Sequence, residues 1–258
     1  MSLSDRLMAL APKEESPRIL TFDVECAPAL AYVWGLHDQN IGIAQVVEPP
    51  RLLSFAGKWH HEKRVHYFSE FHHSREEMAR ESWKMMDAAS VVVGYNHVRF
   101  DVPWMNSLWK AHGLGPPSPW VDVDLLAINR RRFRSLSNKL AWVTQENGLP
   151  AKLETGGQDL WNRCLQGDAK AWATFKRYNV NDVIITEQLF DLYRDQGWIT
   201  YPHMGQWTRN RECCPHCGGS DLDLVGLVYG RTTAYPKLLC LSCHGYVKVL
   251  RNGDTRAL

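Results

Sequence analysis

Residues 20–27, LTFDVECA, decide how the chain is read. Side chains alternate across a strand, so Leu20, Phe22 and Val24 point one way and Thr21, Asp23 and Glu25 the other. The apolar row is ordinary core. The other row sets two carboxylates about 7 Å apart on one face, a costly pairing unless a cation lies between them. A bound divalent metal is one solution; a strand edge that turns its acids to water is the other.

The surroundings of this strand are those of an α/β domain. RLLSFAGKWH (51–60) and KRVHYFSEF (63–71) alternate as a hairpin pair of strands. SREEMARESWKMMDAA (74–89) has helical spacing through Met78, Trp83 and Met86. SVVVGY (90–95) is a short apolar run suited to a strand buried on both faces. DVPWMNSLWKAHGLG (101–115) reads as a helix with Pro103 at its start and Gly113 at its end. VDVDLL (121–126) reads as a strand, SNKLAWVTQENGL (137–149) as a helix and PAKLETGGQDL (150–160) as a loop. A long helical pattern, with a kink allowed for, runs from Asp168 to about Asp195. Strands mixed with helices over about 200 residues predict one α/β domain. The expected division is a polar leader over 1–17, a main domain over 18–205 and a small domain over 206–258.

Two more acids stand where folding alone would not put them cheaply. Asp101 follows the buried strand and opens a helix, where an N-cap role would also explain it. Phe175, Tyr178, Asp182, Ile185, Leu189 and Leu192 recur every three or four residues and form one helix stripe. Five members suit a core. The sixth is a carboxylate, rarely buried unless paired or metal-bound. Tyr178 lies one turn before Asp182, on the same face.

With these residues in place the chain resembles the DEDD-type 3′→5′ exonucleases of the ribonuclease H-like superfamily, in their tyrosine-bearing branch. The motifs are FDVE (Asp23, Glu25), NHVRFD (Asn96, Phe100, Asp101) and YNVND (Tyr178, Asp182), in the family's order over about residues 18–195. WGLHDQNIG, VVEPPRLLSFAGKW and KLETGGQDLW resemble bacteriophage-encoded exonucleases related to the proofreading domain of family-B DNA polymerases. Cys26 and Ala27 depart from the pattern, because many relatives carry Thr or another small polar residue there. The resemblance implies a mixed sheet flanked by helices and hydrolysis at the 3′ end of single-stranded nucleic acid, DNA ahead of RNA. It implies two Mg²⁺ or Mn²⁺ ions held by Asp23, Glu25, Asp101 and Asp182, with Tyr178 orienting the attacking water. Asn96, Phe100, Arg130 and Arg131 are the candidate substrate contacts. A DNA polymerase or replication complex is the implied protein partner. A catalytically silent nucleic-acid-binding adaptor on the same fold and an exoribonuclease are the alternatives.

The C-terminal fifth has a different composition. Five of the seven Cys lie between 213 and 243. Cys214-x2-Cys217 and Cys240-x2-Cys243 form two knuckles, which predict a β-rich zinc ribbon around one structural Zn²⁺. Cys213, His216 and His244 are spare ligands. Residues 209–258 hold seven Lys/Arg against four Asp/Glu, a basic tail on a chain of net charge +2. The run NRRRFRSLSNK (129–139) is a second basic cluster, suited to a phosphate backbone or to a solvated face. No stretch approaches 18 apolar residues and the N-terminus lacks a signal-peptide apolar region, so a cytoplasmic protein, bacterial or in a phage-infected host, is expected.

Overall fold

The computed structural model describes residues 17–60, 62–153, 156–205 and 210–258. The chain divides into two compact units, one spanning Ile19–Leu189 and one containing Phe190–Leu258. The expected leader lies outside the described residues except for Pro17.

In the first unit, β1 (Ile19–Ala27) is the middle of a five-stranded sheet of order β5-β4-β1-β6-β7. It runs antiparallel to β4 (Arg51–Trp59), which pairs antiparallel with β5 (Val65–Ser69), as the hairpin reading predicts. On its other side it runs parallel to β6 (Val91–Gly94), which pairs parallel with β7 (Val121–Asp124). Between β1 and β4, β2 (Leu30–Ala31) and β3 (Val46–Glu48) form a separate two-stranded ribbon. The apolar row of β1 does what alternation demands: Leu20, Phe22 and Val24 are buried against Phe55 of β4. They also meet Met78 and Met86 of α1 (Arg75–Asp87), and Met105, Leu108 and Trp109 of α2 (Asp101–Ala111). Full burial of a side chain the size of Phe22 contributes about 1.5–3 kcal/mol. Ser74 caps α1 by accepting the amide of Glu77 (3.0 Å), and Gly113, at φ +72°, ends α2.

Two readings of the sequence change. Leu125 and Leu126 are not strand but the first turn of α3 (Leu125–Arg132), because Asp124 caps that helix through the amides of Leu126 and Ala127. After α4 (Leu140–Glu146), the segment read wholly as loop contains the start of α5 (Gln158–Leu165). Two glycines precede this helix and it has only eight residues, so periodicity gives little signal. The long pattern near the C-terminal end of this unit is one helix, α6 (Ala169–Asp195). Trp172 and Phe175 of α6 pack with Leu160 and Cys164 of α5 on Ala27 and Leu53, forming a second core cluster.

The second unit contains an antiparallel four-stranded sheet of order β11-β10-β9-β8, built from β8 (Leu222–Tyr229), β9 (Ala234–Cys240), β10 (Tyr246–Val249) and β11 (Thr255–Ala257). Among the described residues no helix is long and apolar enough to cross a membrane.

Candidate active site

The acidic row of β1 meets the stripe of α6. Carboxylate oxygens of Asp23, Glu25 and Asp182 lie within 4.8 Å of one another. The register between β1 and β4 slips after Glu25, so that Glu25 faces Ser54 and Cys26 faces Leu52. A bulge re-aims the side chains around it, and this one sits beside the acidic cluster. Asp182 is buried at 2% exposure, and its Oδ1 has no hydrogen-bond partner.

Asp101 is the first residue of α2 and not its cap, a position that Phe100 takes. The capping explanation therefore fails. Its carboxylate turns back onto β1, where Oδ1 accepts the amide of Val24 at 3.0 Å. This contact anchors Asp101 beside Asp23 without bringing it into the tight trio.

The electrostatics follow from packing four acids together. Burial raises the pKa of each. Glu25 is pushed up to about 8 by burial and then by the charge of Asp182. Asp101 rises to about 6 through burial, with the Val24 amide opposing. Asp23 is raised well above the usual carboxylate range by burial and by the charges of Asp101, Glu25 and Asp182. Asp182 is raised by burial while Lys152 works against the shift. A cluster in this condition calls for positive charge, and its donors are all carboxylate oxygens, the set a hard divalent cation prefers. The residues fit such a cation.

Two further residues complete the cluster. The Nζ of Lys152 lies 2.7 Å from Asp182 Oδ2 and 4.7 Å from the centroid of the Tyr178 ring. Burial disfavours its charge, yet Asp182 and Tyr178 hold its pKa above the ordinary range. Asn179 donates to Asp23 Oδ2 at 2.7 Å and accepts from the Ser54 hydroxyl at 2.8 Å, which fixes the Asp23 carboxylate against β4. Tyr178 is half-buried with Trp161 edge-on at 6.0 Å, and its hydroxyl donates to the Asp182 carboxylate, so the ring is packed while the hydroxyl sits at the acids. Neither Lys152 nor Asn179 is among the candidates read from sequence. Both have a signal in the sequence: Asn179 is a polar residue inside YNVND, and Lys152 opens the phrase KLETGGQDLW.

Asp23, Asn96, Lys139, Lys152 and Asp182 line one cavity of about 470 Å³. Asn96 adopts φ +67°, and its amide donates to Asp124 Oδ1 at 3.0 Å, so it shapes the β6–α2 loop as well as facing the cavity. Beside it a Cβ on Gly94 would come within 2.7 Å of His97, which explains the glycine at that strand end. Buried His97 in turn contacts Asp122 at 3.0 Å. Phe100, Arg130 and Arg131 are exposed and are not among the residues lining the cavity; Phe100 packs edge-on against Trp104.

The second unit holds a separate cluster. Sulfur atoms of Cys214, Cys217, Cys240 and Cys243 lie within 4.8 Å of one another, with Cys214–Cys243 and Cys217–Cys240 both 3.7 Å apart. That is far beyond a disulfide bond of about 2.05 Å. A metal with thiolate bonds of about 2.3 Å in a tetrahedron has sulfur–sulfur edges of about 3.8 Å, so the four residues fit such an ion. The hydrogen bond between Cys214 and Cys217 pulls the pKa of Cys217 down and pushes that of Cys214 up, and burial raises that of Cys243. The spare ligands are engaged elsewhere or turned out: Cys213 bonds the Asn210 carbonyl (3.0 Å), His216 Nδ1 meets the Ile199 carbonyl (2.9 Å) and His244 is exposed.

A family model described as the RNase_H superfamily matches residues 52–194. No curated protein matches the sequence. Among solved structures, the family B DNA polymerase from the hyperthermophilic archaeon Pyrobaculum calidifontis is similar, with a TM-score of 0.50 and 21% identity. The alignment covers 70% of this chain and 25% of that one, so the likeness is one of fold and spans about a quarter of the polymerase.

Proposed function

Because the chain belongs to the RNase_H superfamily, we propose that it is a metal-dependent 3′→5′ exonuclease acting on single-stranded nucleic acid, DNA ahead of RNA. The observation that carries this reading is the trio of buried or half-buried carboxylates, Asp23, Glu25 and Asp182, within 4.8 Å beside a cavity. The main domain, expected over residues 18–205, carries the reaction, and the described residues from 210 on form a ribbon around one Zn²⁺ held by Cys214, Cys217, Cys240 and Cys243.

Asp23, Glu25 and Asp182, with Asp101 beside them, would hold two Mg²⁺ or Mn²⁺ ions. Such ions, when bound, supply an activated water, relief of phosphate charge and stabilisation of the leaving oxygen. The chain's own residues do the rest. Asn179 locks the Asp23 carboxylate in one orientation. The Val24 amide does the same for Asp101. The Tyr178 hydroxyl, next to Asp182, orients the attacking water. Lys152 brings a positive charge to the acids at the cavity wall and favours an approaching phosphate. Asn96 and Lys139, on the same wall, contact the strand.

End-labelled oligonucleotides test the direction. With Mg²⁺, a 5′-labelled DNA strand is expected to shorten one nucleotide at a time, and a 3′-labelled strand to release labelled mononucleotide at once. A 5′-labelled strand that loses its label first, or internal cuts without a ladder, would contradict the direction. RNA strands of matched sequence rank the two sugars.

A further inference from the structure

The C-terminal sheet has two unlike faces. One covers the cysteine sulfurs: Leu222, Leu238 and Val247 pack with Cys214, Cys240 and Cys243. The register fixes the other. Lys248 of β10 pairs directly with Lys237 of β9 and with Arg256 of β11, and Tyr246 pairs with Leu239. Paired residues of antiparallel strands share a face, as do residues two apart, so Tyr235 joins them. The contacts agree: Lys237 Nζ sits 4.2 Å from the Tyr246 ring centroid, and Lys248 Nζ 5.3 Å from that of Tyr235.

Lys opposite Lys and Arg is an unfavourable ladder within a sheet. No carboxylate neutralises it among the described residues. Among the described residues, the ion pairs seen in this unit join Arg194 to Asp191 and Asp195, and Arg211 to Asp254, and none includes Lys237, Lys248 or Arg256. The register puts one acidic side chain on the face, Asp223 opposite Leu239, against three cations. Tyr246 is 47% exposed, and a cavity of about 470 Å³, walled by Trp198 and Val228, opens against it and Lys237.

We propose that this face is a binding site for single-stranded nucleic acid, with bases stacked on Tyr235 and Tyr246 and phosphates held by Lys237, Lys248 and Arg256. Rings interleaved with cations that have no carboxylate partner among the described residues suit this ligand, because every base has a face to stack and every linkage a charge to neutralise. An acidic protein would use the cations and leave the rings idle. The site shares no residue with the acidic cleft and does not rest on the nuclease reading.

The test uses the full-length chain carrying Asp182→Asn, so that the strand stays intact, and fluorescein-labelled dT20 followed by anisotropy. Tyr246→Leu is expected to weaken binding about 5- to 100-fold, and Tyr246→Phe to bind as the parent does. Lys237→Gln with Lys248→Gln is expected to weaken binding and to lower the slope of log affinity against log salt by about 1.4. Unlabelled dT20 competes, and polyglutamate does not. Zinc content, measured for each variant, reports that the ribbon is folded. Unchanged affinity and salt slope in zinc-loaded variants would overturn the proposal, as would equal competition by polyglutamate. Without Asp182→Asn, hydrolysis of thymidine 5′-monophosphate p-nitrophenyl ester reports the cleft alone and should stay within about twofold in the ribbon variants. A chain that binds dT20 through this face yet cleaves nothing leaves this proposal standing and removes the other.

Discussion

Glu25→Gln is expected to stabilise the metal-free protein at alkaline pH and to leave it unchanged in acid. Burial, then Asp182, moves the Glu25 carboxyl from its ordinary 4.5 to about 8. Below pH 4.5 it is protonated in folded and unfolded chains alike, and its pKa shift costs nothing. Between 4.5 and 8 the unfolded chain has released the proton while the folded chain keeps it, so stability falls as pH rises through this window. A span of 3.5 pH units at 1.36 kcal/mol each sets a ceiling of about 5 kcal/mol. Glu25 is only half-buried, and neighbouring acids share the repulsion, so about 2 kcal/mol is the working figure. For a chain of this size that is about 4–8 °C in Tm. Thermal unfolding from pH 4.5 to 9 in buffer free of divalent cations measures it. The substituted chain should melt higher above pH 8, and saturating Mg²⁺ should raise the unsubstituted chain more than the substituted one. Parallel melting curves for the two chains across this range, or a lower Tm for the variant at pH 8.5, would refute the reasoning.

Tyr178→Phe keeps the ring packed on Trp161 and removes the hydroxyl, so single-turnover cleavage should drop roughly 10- to 1000-fold with Mg²⁺ affinity little changed; an unchanged rate would make the tyrosine structural. Lys58→Met breaks the buried contact of Lys58 Nζ with Glu187 (2.5 Å), which also faces His60 at 3.3 Å, and should cost about 3 kcal/mol in urea unfolding. A loss below about 0.5 kcal/mol would mean that Glu187 is satisfied without it. Cys217→Ser should lower zinc content from one ion per chain and melt the C-terminal sheet while Mg²⁺-dependent cleavage of short substrates persists; full zinc retention would mean another residue completes the site.

Much of the candidate site was legible because its signals are local. The FDVE pair is read from alternation along one strand, and Asp182 from a carboxylate in an otherwise apolar stripe. The four cysteines are read from spacing within their knuckles. What failed to show was set by distant chain. Lys152 reaches Asp182 across 30 residues and Asn179 reaches Asp23 across 156, contacts that no periodicity records. Asp101 illustrates a local signal with two explanations: a helix start predicts a cap, and the contact with Val24 decides against it. α5 escaped because eight residues after a glycine pair leave too short a pattern, and the Leu125–Leu126 step because a capping Asp124 ends a strand and starts a helix at once. The basic run 130–134 reads equally as a phosphate track or a wet surface, and its arginines stand exposed.

The most direct measurement is Mg²⁺-dependent release of mononucleotides from a 5′-labelled single strand by the unsubstituted chain and by Asp182→Asn, both shown by circular dichroism to be folded. The expected result is stepwise shortening from the 3′ end that needs the metal and is lost, by at least about 1000-fold, when this one carboxylate of the trio becomes an amide. Equal shortening by both chains, or shortening that persists without divalent metal, would contradict the assignment of the Asp23, Glu25 and Asp182 cluster as the catalytic centre.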